Sequence, residues 1–194
     1  MKDRIVATAF RSFALYGIKI VSMDQIANEM QISKKTLYVN FQSKEDLVCA
    51  CLDLMIEQVR LLLNKVDEEI ENPVWKVIYM TSDLFQYHSY FCPSFYRDLY
   101  CYQHAISKKN HGIELVINKY SHYLQIGQDE GYFLNDIDTE MFATIILDEL
   151  PKWGVSYQQI AAFTLLRGIC TYKGRNVLKQ FAPELTGAME DKFN

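Results

Sequence analysis

Residues 26–46 alternate caps and apolar steps so tightly that a chain built around them has few ways to fold. Ile26, Ala27 and Met30 stand at i, i+1 and i+4, one face of a short helix. A break follows at Gln31-Ile32, and Ser33 occupies the position of an N-cap. Leu37 and Phe41 then recur at i, i+4 and turn toward the first helix, which leaves Lys34, Lys35, Thr36, Tyr38 and Asn40 facing away from the core. Two ammonium groups, a hydroxyl, a phenol and an amide on a short helix suit insertion into a DNA major groove. The partial positive charge and free N–H groups at a helix start favour phosphate. The pattern is that of a helix-turn-helix.

The flanks continue in helices. Residues 2–16 carry Ile5, Ala9, Phe13 and Tyr16 at helical spacing, with Gly17 as a C′ residue. Ser22-Met23-Asp24-Gln25 is a capping box that opens a helix over 23–30, followed by one over 34–40. Ser43 caps a fourth helix reaching about residue 71, with Glu45 and Asp46 in its first turn. Asn72-Pro73 opens a fifth over 73–91, and Pro93 a sixth over 93–107. The polar run 107–112 reads as a break before a seventh helix over 112–130, closed by Gly131. Asp136 or Asp138 caps an eighth over 139–150, and Pro151 with Gly154 marks a turn. A ninth helix over 156–172 and a short tenth over 174–181 precede a polar tail. The expected fold class is all-α.

Composition narrows the function classes. The 194 residues are 49% apolar, enough for a sizeable core. The net charge of −4 argues against nonspecific nucleic-acid binding, but it is unevenly spread. Residues 1–48 hold seven Lys/Arg against five Asp/Glu, a slightly basic head on an acidic body, which fits a local DNA contact. Five cysteines without framework spacing point to a reduced, cytoplasmic setting rather than a disulfide scaffold. No signal peptide and no membrane span is expected, since Arg11 and Ser12 interrupt the first apolar stretch and no run approaches the length a span needs.

The motif order resembles the TetR family of bacterial transcriptional regulators. The resemblance rests on Phe13-Ala14-x-x-Gly17, Ser22-x-x-x-Ile26-Ala27, Ile32-Ser33-Lys34-x-Thr36-Leu37-Tyr38-x-x-Phe41 and Ser43-Lys44-Glu45-x-Leu47, and covers about the first 48 residues. Two positions depart from it: Gln31 and Lys35 stand where the family usually and often, respectively, has glycine. A side chain forced to positive φ at Gln31 would cost on the order of 1 kcal/mol. The resemblance implies a helix-turn-helix DNA-binding domain over 1–48 and a ligand-binding and dimerisation domain over 49–194. It implies a double-stranded DNA operator, a small-molecule effector and a homodimer built on the last two long helices. It also implies that an effector in each body moves the fourth helix and changes the spacing of the recognition helices. By the same resemblance Tyr38 and Lys44 contact backbone phosphate, while Lys34, Lys35, Thr36 and Asn40 face base edges.

Residues 75–102 hold ten aromatics, from Trp75 to Tyr102. A core alone would favour Leu and Ile, which have no polar tip to satisfy. With the family's implication of a pocket in this region, Tyr87, His88, Phe91, Phe95, Tyr96, Tyr100, Gln103 and Tyr123 are the candidate ligand-binding residues for an apolar or aromatic effector. His88-x3-Cys92 and Cys101-x2-His104 could share helical faces as metal ligands, but Cys92 precedes Pro93, where a helix ends. No metal or other cofactor is expected. No phosphate loop, nucleophile elbow or paired-histidine motif occurs, so no enzyme is expected. The expected function is a ligand-responsive repressor released from its operator by the effector. The alternative is a helical small-molecule-binding or enzymatic protein with a vestigial head.

Overall fold

The computed structural model describes residues 1–149 and 155–180. The expected turn at Pro151 and Gly154 and the tail after residue 181 lie outside the described residues. Those described form α1 (Lys2–Tyr16), α2 (Met23–Glu29), α3 (Lys34–Asn40), α4 (Lys44–Glu69), α5 (Pro73–Ser89), α6 (Pro93–Leu99) and α7 (Gln103–Asp129). There follow α8 (Thr139–Thr144), a π-helical turn (Ile145–Glu149), α9 (Val155–Ile169) and α10 (Tyr172–Leu178). No strand occurs among the described residues beyond a single Phe133–Cys170 bridge. The fold is all-α with an N-terminal helix-turn-helix.

The chain groups into two compact units. One comprises Met1–Leu61 with Gln86–Glu114, the other Leu62–Phe85 with the described part of Leu115–Asn194. The first unit thus reaches beyond the expected head at 1–48. The reason is packing: Phe91, Phe95, Leu99 and Ala105 are buried in one core with Ile5, Phe10, Phe13, Ile26, Leu37 and Leu47.

In that unit the caps form as the sequence dictates. Ser22 Oγ accepts from the Gln25 backbone N–H while the Gln25 side chain accepts from the Ser22 N–H. Ser33 Oγ accepts from Thr36 N–H at 3.0 Å, and Ser43 Oγ from Asp46 N–H at 3.0 Å. Gln31 takes φ 56° between α2 and α3, the only positive-φ residue other than glycine among those described. Gly17 turns at φ 88° where a Cβ would meet Ser94 Oγ at 2.5 Å, so α6 seats directly on the end of α1. Cys92 N–H donates to Ala14 O at 2.8 Å and Lys19 N–H to Asp98 Oδ2 at 2.8 Å, closing the same corner.

Several boundaries differ from expectation. The sixth helix stops at Leu99 and the seventh begins at Gln103, running through the polar stretch 107–112 without a break. The Glu45 carboxylate explains the start: Oε1 accepts from His104 N–H at 2.9 Å, holding an N–H that the helix itself leaves free. Gly112 sits inside α7 because a Cβ there would come within 3.0 Å of Ile56. The helix expected over 139–150 is α-helical only to Thr144 and then widens into the π turn. Asp138, not Asp136, is its cap, accepting from Met141 N–H at 2.8 Å.

The second unit has polar contacts of its own, one in its core and one at its surface. Tyr120 OH and Thr81 Oγ1 meet at 2.8 Å in the core. Asp67 receives Tyr123 OH at 2.6 Å, Lys119 Nζ at 2.5 Å and Lys76 Nζ at 3.4 Å. Burial works to raise the Asp67 pKa, but these hydrogen bonds outweigh it and hold the carboxyl below its ordinary value. The break between α9 and α10 falls earlier than expected. Leu134 N–H donates to Ile169 O and Thr171 N–H to Tyr132 O, and Thr171 caps α10 through Gly174 N–H.

Candidate nucleic-acid interface and aromatic cluster

The head exposes α3 while Leu37, fully buried, fixes it to the core. Of the six residues expected to meet DNA, Lys35 and Tyr38 have exposed side chains with no hydrogen bond or ion pair to another described residue. Lys34 is exposed too, but its Nζ lies 2.5 Å from Asp24 Oδ2. An exposed pair of this kind is worth at most about 1 kcal/mol, so Lys34 can exchange its partner for a phosphate or base. Thr36 Oγ1 lies 2.8 Å from Ser33 Oγ, and Asn40 turns back to donate to Thr36 O at 2.8 Å. Lys44 folds against the head, with Nζ 3.4 Å from Lys19 O and over the Phe13 ring. Burial lowers its pKa, partly offset by the charge of Asp98. Val39, absent from the expected set, stands exposed beside Lys35 and Tyr38. A signal for it existed: it is an apolar residue out of phase with Leu37 and Phe41.

The aromatic residues converge on Phe91. Its ring meets Phe95 at 4.7 Å, Tyr87 at 5.4 Å and Tyr96 at 5.7 Å between centroids, and Phe10 of α1 edge-on at 5.4 Å. His88 stacks on Tyr96 at 4.3 Å. Five of the expected ligand residues, Tyr87, His88, Phe91, Phe95 and Tyr96, are therefore together. Tyr100 and Gln103 lie on the surface of the same unit, and Tyr123 is buried in the other unit on Asp67. His88 Nδ1 and Tyr96 OH are buried with no hydrogen-bond partner among the described residues, while Tyr87 OH donates to Gln58 Oε1 at 2.5 Å. Burial, with a smaller contribution from the charge of Lys109, pushes His88 down to about 4, so its ring is neutral near pH 7. Burial likewise pushes the Tyr87 and Tyr96 phenols up, keeping both protonated. No group of three or more metal-ligating side chains gathers among the described residues. Cys92 Sγ instead lies 3.1 Å from Ser94 Oγ. Asp98 is a link that sequence reasoning missed. Its partner Lys19 lies 79 positions away, and no local pattern announces that.

A capped three-helix head with an exposed lysine-bearing third helix has the geometry of a helix-turn-helix. Residues 5–51 match the model of the bacterial regulatory proteins, tetR family. The uncharacterised helix-turn-helix-type transcriptional regulator YerO of Bacillus subtilis is 32% identical over 69 residues, 36% of this chain but only 24% of that relative. In three dimensions the chain is similar to a candidate transcriptional regulator from Saccharomonospora viridis in complex with choline. That likeness has a TM-score of 0.77 at 17% identity, covering 88% of this chain and 97% of the other. A TetR transcription regulator from Haloarcula marismortui gives a TM-score of 0.75 at 19% identity, covering 88% and 98%. At these identities the likeness establishes the fold. No helix among the described residues is long and apolar enough to cross a membrane.

Proposed function

We propose that this regulator is a repressor that binds a specific operator through α3 and is released by a small apolar or aromatic molecule. One observation carries the reading. Phe91, the hub of the aromatic cluster, packs on Phe10 of α1 inside the core that positions the helix-turn-helix. A molecule entering among the half-buried Tyr87, His88 and Tyr96 must shift Phe91, and with it the seat of the head. The unpartnered His88 Nδ1 and Tyr96 OH offer such a molecule two polar contacts in an otherwise apolar setting. That a protein of similar fold is described with choline bound supports a small-molecule site by analogy of fold alone.

We further propose that two copies pair through α9, whose outer face carries Ile160, Thr164, Leu165 and Gly168. Ile169 of the same helix is buried and lies off that face.

The test is binding of the full chain to the DNA upstream of its own gene and to a scrambled duplex, across a salt series. A specific, salt-sensitive preference is expected. Lys44→Ala should weaken both duplexes alike and lower the salt slope by ~0.9 per phosphate contact. Lys34→Ala should cost ~1–3 kcal/mol on the preferred duplex only. A panel of small aromatic and aliphatic molecules is then screened for release, with Tyr96→Ala as the blunted control. Absence of any preferred duplex would favour the vestigial-head alternative.

A further inference from the structure

Lys35, Tyr38 and Val39 stand at i, i+3 and i+4 on α3 and share its solvent face. Of the other polar side chains of the helix, Lys34 holds only an exchangeable surface pair with Asp24, while Thr36 bonds Ser33 and Asn40 the Thr36 carbonyl. Val39 is 76% exposed. A valine there is unfavourable for the fold. It loses side-chain freedom in a helix of only seven residues and gains nothing from burial, while Leu37 already anchors the element.

We propose that Val39 reads the 5-methyl group of a thymine in the major groove and, with Lys35, adds to the sequence preference that Lys34 gives the head. This rests on the reading of α3 as the helix that enters the groove. Thymine alone among the four bases presents a methyl group there, and apolar side chains are its natural contacts. Lys35 lies one helical turn before Val39 on the same face, about 6 Å along the axis. Its ammonium suits O6 and N7 of guanine. At about 3.4 Å per base step, the two contacts fall about two steps apart. Each half-site then contains a thymine within about two steps of a guanine.

The full chain is used to select duplexes from a random-sequence pool. Each thymine of the selected duplex is then replaced in turn by deoxyuridine, which removes the methyl group and nothing else. One replacement per half-site should weaken wild-type binding about fourfold, the burial of one methyl group. Val39→Ser, a change on an exposed face, should bind the thymine duplex more weakly and no longer distinguish it from that deoxyuridine duplex. A wild-type protein indifferent to every replacement overturns the assignment, as does a Val39→Ser protein that keeps the full difference. A pool yielding no preferred duplex overturns the operator reading itself, and the assignment with it.

Discussion

Gln31 holds φ 56° so that its N–H can reach Asn28 O at 3.0 Å and the Ile32 N–H can reach Ala27 O at 3.0 Å. The turn between α2 and α3 requires that conformation, and an L side chain in it costs about 1–2 kcal/mol. Part of this returns if glycine replaces it, since glycine has more freedom to lose from the unfolded chain. Gln31→Gly should therefore raise stability by roughly 0.5–1 kcal/mol in urea unfolding, and Gln31→Val should lower it. A second residue makes stability depend on pH. His88, held at about 4 in the folded protein, would titrate near 6.5 in the unfolded chain. The unfolded chain takes up the proton first on acidification. This contribution is therefore complete above pH 6.5 and is lost as pH falls toward 4, by up to about 1.4 kcal/mol per unit. Urea midpoints at pH 7 and pH 5.2 should show the decline, and His88→Phe, which keeps the ring stack on Tyr96, should flatten it.

At the scale of elements, local signals and distant contacts part company. Ser22, Ser33, Ser43 and Asn72 cap where their own side chains reach a backbone N–H two or three residues on, so those helix starts are legible from a few letters. The run 107–112 reads as a break because nothing nearby shows Glu45 capping α7 or Ile56 accepting Gly112. The π turn at 145–149 has no composition cue. For the site, the exposure of the lysines and Tyr38 of α3 is legible from phase against Leu37 and Phe41. Asp98 is not, because its role depends on a loop 79 positions away. The α9–α10 junction permits a direct check. A Cβ on Gly174 would lie 2.2 Å from Tyr132 O, the carbonyl that also accepts from Thr171 N–H. Gly174→Ala should push α10 away and cost ~1–3 kcal/mol, read as a lowered Tm.

For the whole molecule, assembly is the first question. Leu165 is 37% exposed on the outer face of α9, and Gly168 beside it has open space where a Cβ would be. Leu165→Glu should leave the fold intact and convert dimers to monomers in sedimentation, with loss of operator affinity because one half-site alone is held. A variant that stays dimeric would place the interface elsewhere.

The shared core of Phe10, Phe13, Phe91, Phe95 and Leu99 has a consequence for anyone who would rewire this protein. Heads of regulators are often imagined as interchangeable plugs, cut just after the recognition helix. Here the part to be transplanted is not contiguous in the gene. A chimera joined after residue 48 would carry α1 without the residues of 86–114 that bury its aromatic side, and would inherit foreign side chains against Phe10 and Gly17. On the proposed reading of α3, a new DNA preference is better introduced by changing the outer face of that helix alone than by exchanging the segment that bears it.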